Sequence, residues 1–189
     1  MLRPALFVRC VLWLWFATAV AGGYYLVLQR LAPSAMPMVI IGLTALVLYT
    51  YFRLPGLREW VDALDPRALV QIHLTRLVGV YFLFLFNRGE LPYAFAVPAG
   101  VGDIIVALLA VALIAVPLDR TRLRRFLTIW NVIGFVDIIL VVVTAARITL
   151  AAPYQLRALT HLPLSLLPTF LVPLIIATHI MIFARLLRR

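Results

Sequence analysis

The sequence predicts an all-α fold: a polytopic membrane bundle of six transmembrane helices, with a short interfacial helix on the cytoplasmic side near residues 57–64. Three observations predict it. Of the 189 residues, 65% are hydrophobic and only 13% are charged, and a soluble domain carries roughly twice that charged share. The apolar residues come in runs long enough to cross a hydrocarbon core of about 30 Å. All 17 basic residues are arginines, and nearly all sit at the ends of those runs, which is the membrane pattern. The formal net charge of +10 is therefore no nucleic-acid footprint, because no basic patch interleaved with aromatics occurs. Cys10 is the only cysteine, so neither an internal disulfide nor a cysteine metal cluster is available. Residues 1–189 read as a single transmembrane domain whose first partner is the lipid bilayer.

The elements follow in order. Residues 1–31 imitate a secretory signal, with Arg3 and Arg9 before an apolar core and Ala19-Val20-Ala21 resembling a cleavage site. The apolar run continues through Tyr24 and Tyr25 to Leu28, long enough to span, so the segment reads as an uncleaved first helix. Ala17 and Ala21, and Ala19 and Gly23, are spaced by four and offer small-residue faces for close packing. Pro33 and Pro37 mark a turn, and Met38 to Phe52 makes a short second helix. In the next segment Leu57, Trp60, Val61 and Leu64 share one helical face, with Arg58, Glu59 and Asp62 opposite. That pattern suits a helix lying in the interface with Trp60 as anchor.

Asp65-Pro66 is a helix start, an N-cap followed by proline in the first turn. The third span runs from there to about Asn87, and the fourth from the turn at 88–92 to Pro117. Pro98, Gly100 and Gly102 suggest that the outer end of the fourth is bent or broken. The Asp119–Arg125 cluster precedes a fifth span ending near Arg147. Residues 148–163 form the longest outer loop, and the sixth span covers about Leu164 to Arg185 with Pro168 and Pro173 inside it. Twelve arginines flank one face, four (Arg30, Arg88, Arg147, Arg157) the other, and Arg76 lies within. The positive-inside rule then puts both termini in the cytoplasm, as an even number of spans also requires.

Against this apolar background a few polar residues stand out. At about 1.5 Å of rise per residue, His73 lies about 10 Å and Arg76 about 15 Å along the third span. Counting the other spans in the same way places His179 and Asn131 about 10 Å deep and Asp103 and Asp137 about 20 Å deep. An inner layer of His73, His179 and Asn131 and an outer layer of Asp103 and Asp137 result, with Arg76 between them. Both aspartates sit in the same local frame, G-x-x-D-I-I, at 100–105 and 134–139. Glycines at 100 and 134 would share the aspartate's helix face and clear space beside it. Buried ionisable groups in a bilayer are costly and mark sites or ion-paired ties. Two carboxylates against one guanidinium leave one excess negative charge, which a proton or a ligand would balance.

Three functional readings compete. The first is a small transporter or proton-coupled membrane component built on Arg76, Asp103 and Asp137, with a proton or small molecule as substrate. Six short helices enclose little volume, so a homodimer or a membrane partner is expected. The second is a haem b electron-transfer protein, with His73 and His179 as axial ligands on different spans. No cofactor is expected on the other readings. The third is an enzyme using Asp103 and Asp137 as acid and base, or Glu90 and His161 at the outer surface. No HExxH, GxSxG or metal-ligand spacing supports it, so the balance is against an enzyme and no residue is assigned to catalysis. A structural or accessory membrane subunit stays open beside these.

The stretches HLTRLVGVYFLFLFNRGELPYAFAVPAGVGDIIVALLA, WNVIGFVDIIL and PLSLLPTFLVPLIIATHI resemble an uncharacterised bacterial family of small six-helix integral membrane proteins. The resemblance covers roughly residues 70–180. It implies six helices and a bacterial inner (cytoplasmic) membrane, and carries no activity.

Overall fold

The computed structural model describes residues 4–188. Arg3 and Arg189, counted above on the arginine-rich face, lie outside the described residues. The fold is 87% helix, and no strand occurs among the described residues. The principal helices are α1 (Pro4–Tyr24), α2 (Ala35–Arg53), α3 (Pro55–Ala63), α4 (Pro66–Gln71), α5 (Gly79–Asn87), α6 (Tyr93–Ala115), α7 (Arg120–Ala151) and α8 (Val172–Arg188). Among the described residues, six helical stretches are long and apolar enough to cross a membrane: α1, α2, Pro66–Asn87, α6, α7 and Leu167–Arg188. Large apolar side chains such as Trp13, Leu14, Ile41 and Leu140 stand exposed along them, which suits a multi-pass membrane protein with lipid as its outer solvent.

The chain divides into two compact units. One contains the N-terminal segment up to Leu64 together with Arg157–Ala177, and the other contains Asp65–Leu156 and Thr178–Arg189. In the first, Trp15 donates to the Thr169 carbonyl at 2.8 Å, and Phe170 meets Trp15 and Phe16 edge-on. Of the two small-residue faces of α1, only Ala19 and Gly23 are packed; Ala17 and Ala21 are exposed. A Cβ at Gly23 would strike the side chains of Ser165 and Leu162, which would have to shift to admit it. The amphipathic α3 buries Val61, with Trp60 half-buried beside it. Tyr51, fully buried, donates to Asp62 at 2.8 Å and ties α2 to α3.

Several boundaries move. Helix α2 starts at Ala35, three residues before Met38, because Pro37 falls in its first turn, where no N–H is required. Helix α6 runs unbroken through Pro98; the ring removes a single backbone bond near the helix end, and the following turns continue. Helix α7 extends to Ala151, and Pro153–Thr160 forms a 3-10 segment, so most of 148–163 is helical and not loop. Its Ile-Thr-Leu-Ala-Ala stretch keeps the apolar helical pattern going past Arg147. The last span begins with a π turn at Leu167–Leu171, where Pro168 lies in the first turn.

Candidate functional site

The second unit is built around α6, which packs against α4, the 72–78 segment, α5 and α7. Its first feature is backbone geometry. Between α4 and α5 the chain tightens into a 3-10 helix, Ile72–Val78. Such a helix has three residues per turn, so positions three apart line up. The buried residues Val70, His73, Arg76, Gly79, Phe82 and Leu85 follow that spacing. A 3-10 segment also rises about 2.0 Å per residue, which sets Arg76 deeper than an α-helical count allows.

Gly79 fixes how closely α6 approaches. A Cβ there would strike the Gly100 carbonyl, and one at Gly100 would lie 2.8 Å from the Gly79 oxygen. The two backbones therefore touch, and Asp103, one turn beyond Gly100, is brought over Arg76. Arg76 Nε donates to Asp103 Oδ1 at 2.6 Å. Its Nη1 donates to the Gly134 carbonyl at 2.9 Å, and its Nη2 donates to Asp137 Oδ2. One guanidinium thus bridges the carboxylates of α6 and α7. The side chains of Arg76 and Asp103 are 1% and 7% exposed, whereas that of Asp137 is 21% exposed. Asp137 is the member of the set open to its surroundings.

Glycines near the aspartates do not act as their shared frame suggests. Gly100 clears space for Gly79 and Leu83, and Gly134 clears space for Val106 and His179, whose Cε1 would be 2.8 Å from an added Cβ. The residue that makes room for Asp137 is Gly102, where a Cβ would land on the Asp137 carboxylate. The repeat in sequence is real but its two copies face different neighbours.

The inner layer is equally compact. His73, His179 and Asn131 are all fully buried. Asn131 Nδ2 donates to the His179 carbonyl at 3.1 Å. Its Oδ1 therefore faces His179 Nδ1, 2.8 Å away, which assigns the proton to Nδ1 and leaves Nε2 as an acceptor. His73 Nε2 lies 3.1 Å from the Thr178 hydroxyl. The two rings are 4.3 Å apart between centroids, and Trp130 lies edge-on to His73 at 4.8 Å. Trp130 is held in turn by donation to the Val106 carbonyl at 3.0 Å. His73 Nδ1 and His179 Nε2 are buried with no hydrogen-bond partner among the described residues. Gly134 joins the two layers, since its carbonyl takes Arg76 and its open face takes His179.

The family assignment follows from residues 33–187, which match a domain of unknown function, DUF8737. The chain belongs to the DUF8737 family. The matched region contains every residue of both polar layers and begins after α1. No curated protein and no solved structure matches the chain.

The two outer-surface candidates stand elsewhere in this family member. Glu90 accepts from Arg88 at 2.6 Å, with both side chains exposed, a pair that contributes little in solvent. His161 takes a hydrogen bond from Gln29 at 2.8 Å and donates through Nδ1 to the Arg157 carbonyl at 3.0 Å, which fits a loop fastener. No group of three or more His, Cys, Asp or Glu side chains suited to a metal occurs among the described residues. Sequence reasoning missed Gly79, Trp130 and Thr178, and it named Gly102 only as a sign of a bent helix, not as the residue that makes room for Asp137. Trp130 was within reach, because it directly precedes Asn131; the glycines and Thr178 carry no signal until their neighbours are known.

Proposed function

We propose that the protein is a proton-coupled component of a bacterial cytoplasmic membrane, either a small transporter or a subunit of one, with Arg76, Asp103 and Asp137 as its working site. The observation that carries this reading is the unequal charge set: one guanidinium held between two carboxylates inside membrane-spanning helices. Asp103, nearly enclosed, serves as the fixed counter-ion of Arg76. Asp137, the more open of the two, exchanges a proton or meets a cationic group of the substrate, and the charge of the set then alternates between balanced and negative. The 3-10 stretch at Ile72–Val78 supports this, since a 3-10 run in the middle of a span often marks a functional hinge. Arginine distribution supports both termini in the cytoplasm. A homodimer or a membrane partner is part of this proposal.

Proton flux into proteoliposomes containing a trapped pH dye tests the reading. The wild type is expected to dissipate an imposed pH gradient, alone or with substrate, and Asp137→Asn is expected to remove that flux while keeping the fold. Flux through Asp137→Asn equal to the wild type would rule Asp137 out as the exchanging group.

The haem reading has one observation in its favour, the two partnerless imidazole nitrogens. With centroids 4.3 Å apart the rings are in contact, so a porphyrin would enter only if they separated. A Soret band in the purified protein would favour it over the proton-coupled reading.

A further inference from the structure

A second place in the same unit has the make-up of a binding site. At the end where α4 and α7 begin and α8 finishes, a cleft of about 830 Å³ opens between them. Arg67, Arg120, Arg124 and Arg185 line it, against a single carboxylate, Asp65. Two of these arginines are held by uncharged groups. Arg67 donates to the Leu113 and Val116 carbonyls at 3.1 and 3.0 Å, and Arg124 to the Leu186 carbonyl at 3.0 Å. These acceptors are uncharged, so they hold the guanidinium groups in place and leave their charge. Asp65 is engaged as the N-cap of α4, accepting from the Arg67 amide at 2.8 Å. Arg185, only 8% exposed, also borders the cleft. The N-terminus of α7 adds the positive end of a 32-residue helix dipole.

The rest of the wall is apolar, with Leu123, Leu127 and Ile182 continuing from the arginines along α7 and α8. A soluble anion has no use for that wall. A lipid does: its phosphate meets the arginines at the membrane surface while its acyl chains follow the leucines. We propose that this cleft binds the headgroup of an anionic phospholipid, a role independent of the Arg76 site. Basic pockets between transmembrane helices recognise such headgroups through charge at the interface.

The test is native mass spectrometry of the full chain in detergent, titrated with tetraoleoyl cardiolipin, with dioleoyl phosphatidylcholine, or with cardiolipin plus excess inorganic phosphate. Cardiolipin is expected to stay bound under conditions that strip phosphatidylcholine, and phosphate should not displace it. Arg120→Gln is expected to weaken retention about fivefold, since a basic residue near an anionic surface contributes about 1 kcal/mol. Arg124→Gln on top of it should multiply that loss, while Arg147→Gln, at an exposed arginine far along α7, should change nothing. Should Arg124→Gln unfold the protein, Arg120→Gln alone decides. Equal retention of the two lipids, no effect of Arg120→Gln, an equal effect of Arg147→Gln, or displacement by phosphate would each overturn the proposal.

Discussion

Replacing Arg76 by leucine isolates the electrostatic core of the second unit. The side chain is 1% exposed and makes three donations, to Asp103, Asp137 and the Gly134 carbonyl. Leucine fills part of the volume but strands two carboxylates and a carbonyl. Removing one partner of a buried pair costs about 3–5 kcal/mol, mostly through the charge left behind. Asp137 retains 21% exposure and can turn outward, so the value should fall in the lower half of that range. For a chain of this size, 1 kcal/mol moves the melting midpoint by about 2–4 °C; a loss of roughly 10 °C is the expected reading. The assay is a thermal melt in detergent, followed by tryptophan fluorescence, on wild type, Arg76→Leu and Arg76→Leu with Asp103→Asn and Asp137→Asn. Neutralising both carboxylates removes the stranded charge, so the triple variant should recover most of the lost stability. A loss under about 1 kcal/mol in Arg76→Leu, or no recovery in the triple variant, would refute the claim that charge burial holds this core together.

Two further expectations follow from contacts that involve no charge count. Gly102→Ala puts a methyl where the Asp137 carboxylate sits, so it should cost about 1–3 kcal/mol as that group leaves Arg76. The same change in an Asp137→Ala background should be neutral or stabilise by about 1 kcal/mol through helix propensity; equal destabilisation in both backgrounds would contradict the geometry. His73→Ala and His179→Ala should be non-additive by at least about 0.5 kcal/mol, because their rings touch. Additive melts in the double variant would count against a joined pair.

Much of this protein was legible in its sequence, for a physical reason. A bilayer imposes one rule on every span: enough apolar length, with backbone polar groups satisfied inside the helix. That rule depends only on local composition, so six membrane-compatible stretches could be read directly, and so could the amphipathic helix, expected near 57–64 and found at Pro55–Ala63. The same rule made Arg76, Asp103, Asp137, His73, Asn131 and His179 conspicuous, since polar residues in such runs are few. Boundaries failed where a local signal had two meanings. Pro98 reads as a break, yet near a helix end it removes one bond and the helix goes on.

What only the tertiary structure decided is which groups meet. Depth along a helix can be counted, but rotation about its axis cannot, and contact needs both. The 3-10 turn at Ile72–Val78 rotates His73 and Arg76 into one column, and nothing in its composition distinguishes it from the α-helix on either side. Gly100 and Gly134 occupy the same place in a repeated motif yet face Gly79 and His179, because each glycine's role is set by the helix that crosses it. The composition of the sequence could name the polar residues and their approximate depth. Only the crossings of α6, α7 and the 72–78 segment could place two carboxylates on one guanidinium, since that depends on backbone contacts between residues far apart in the chain.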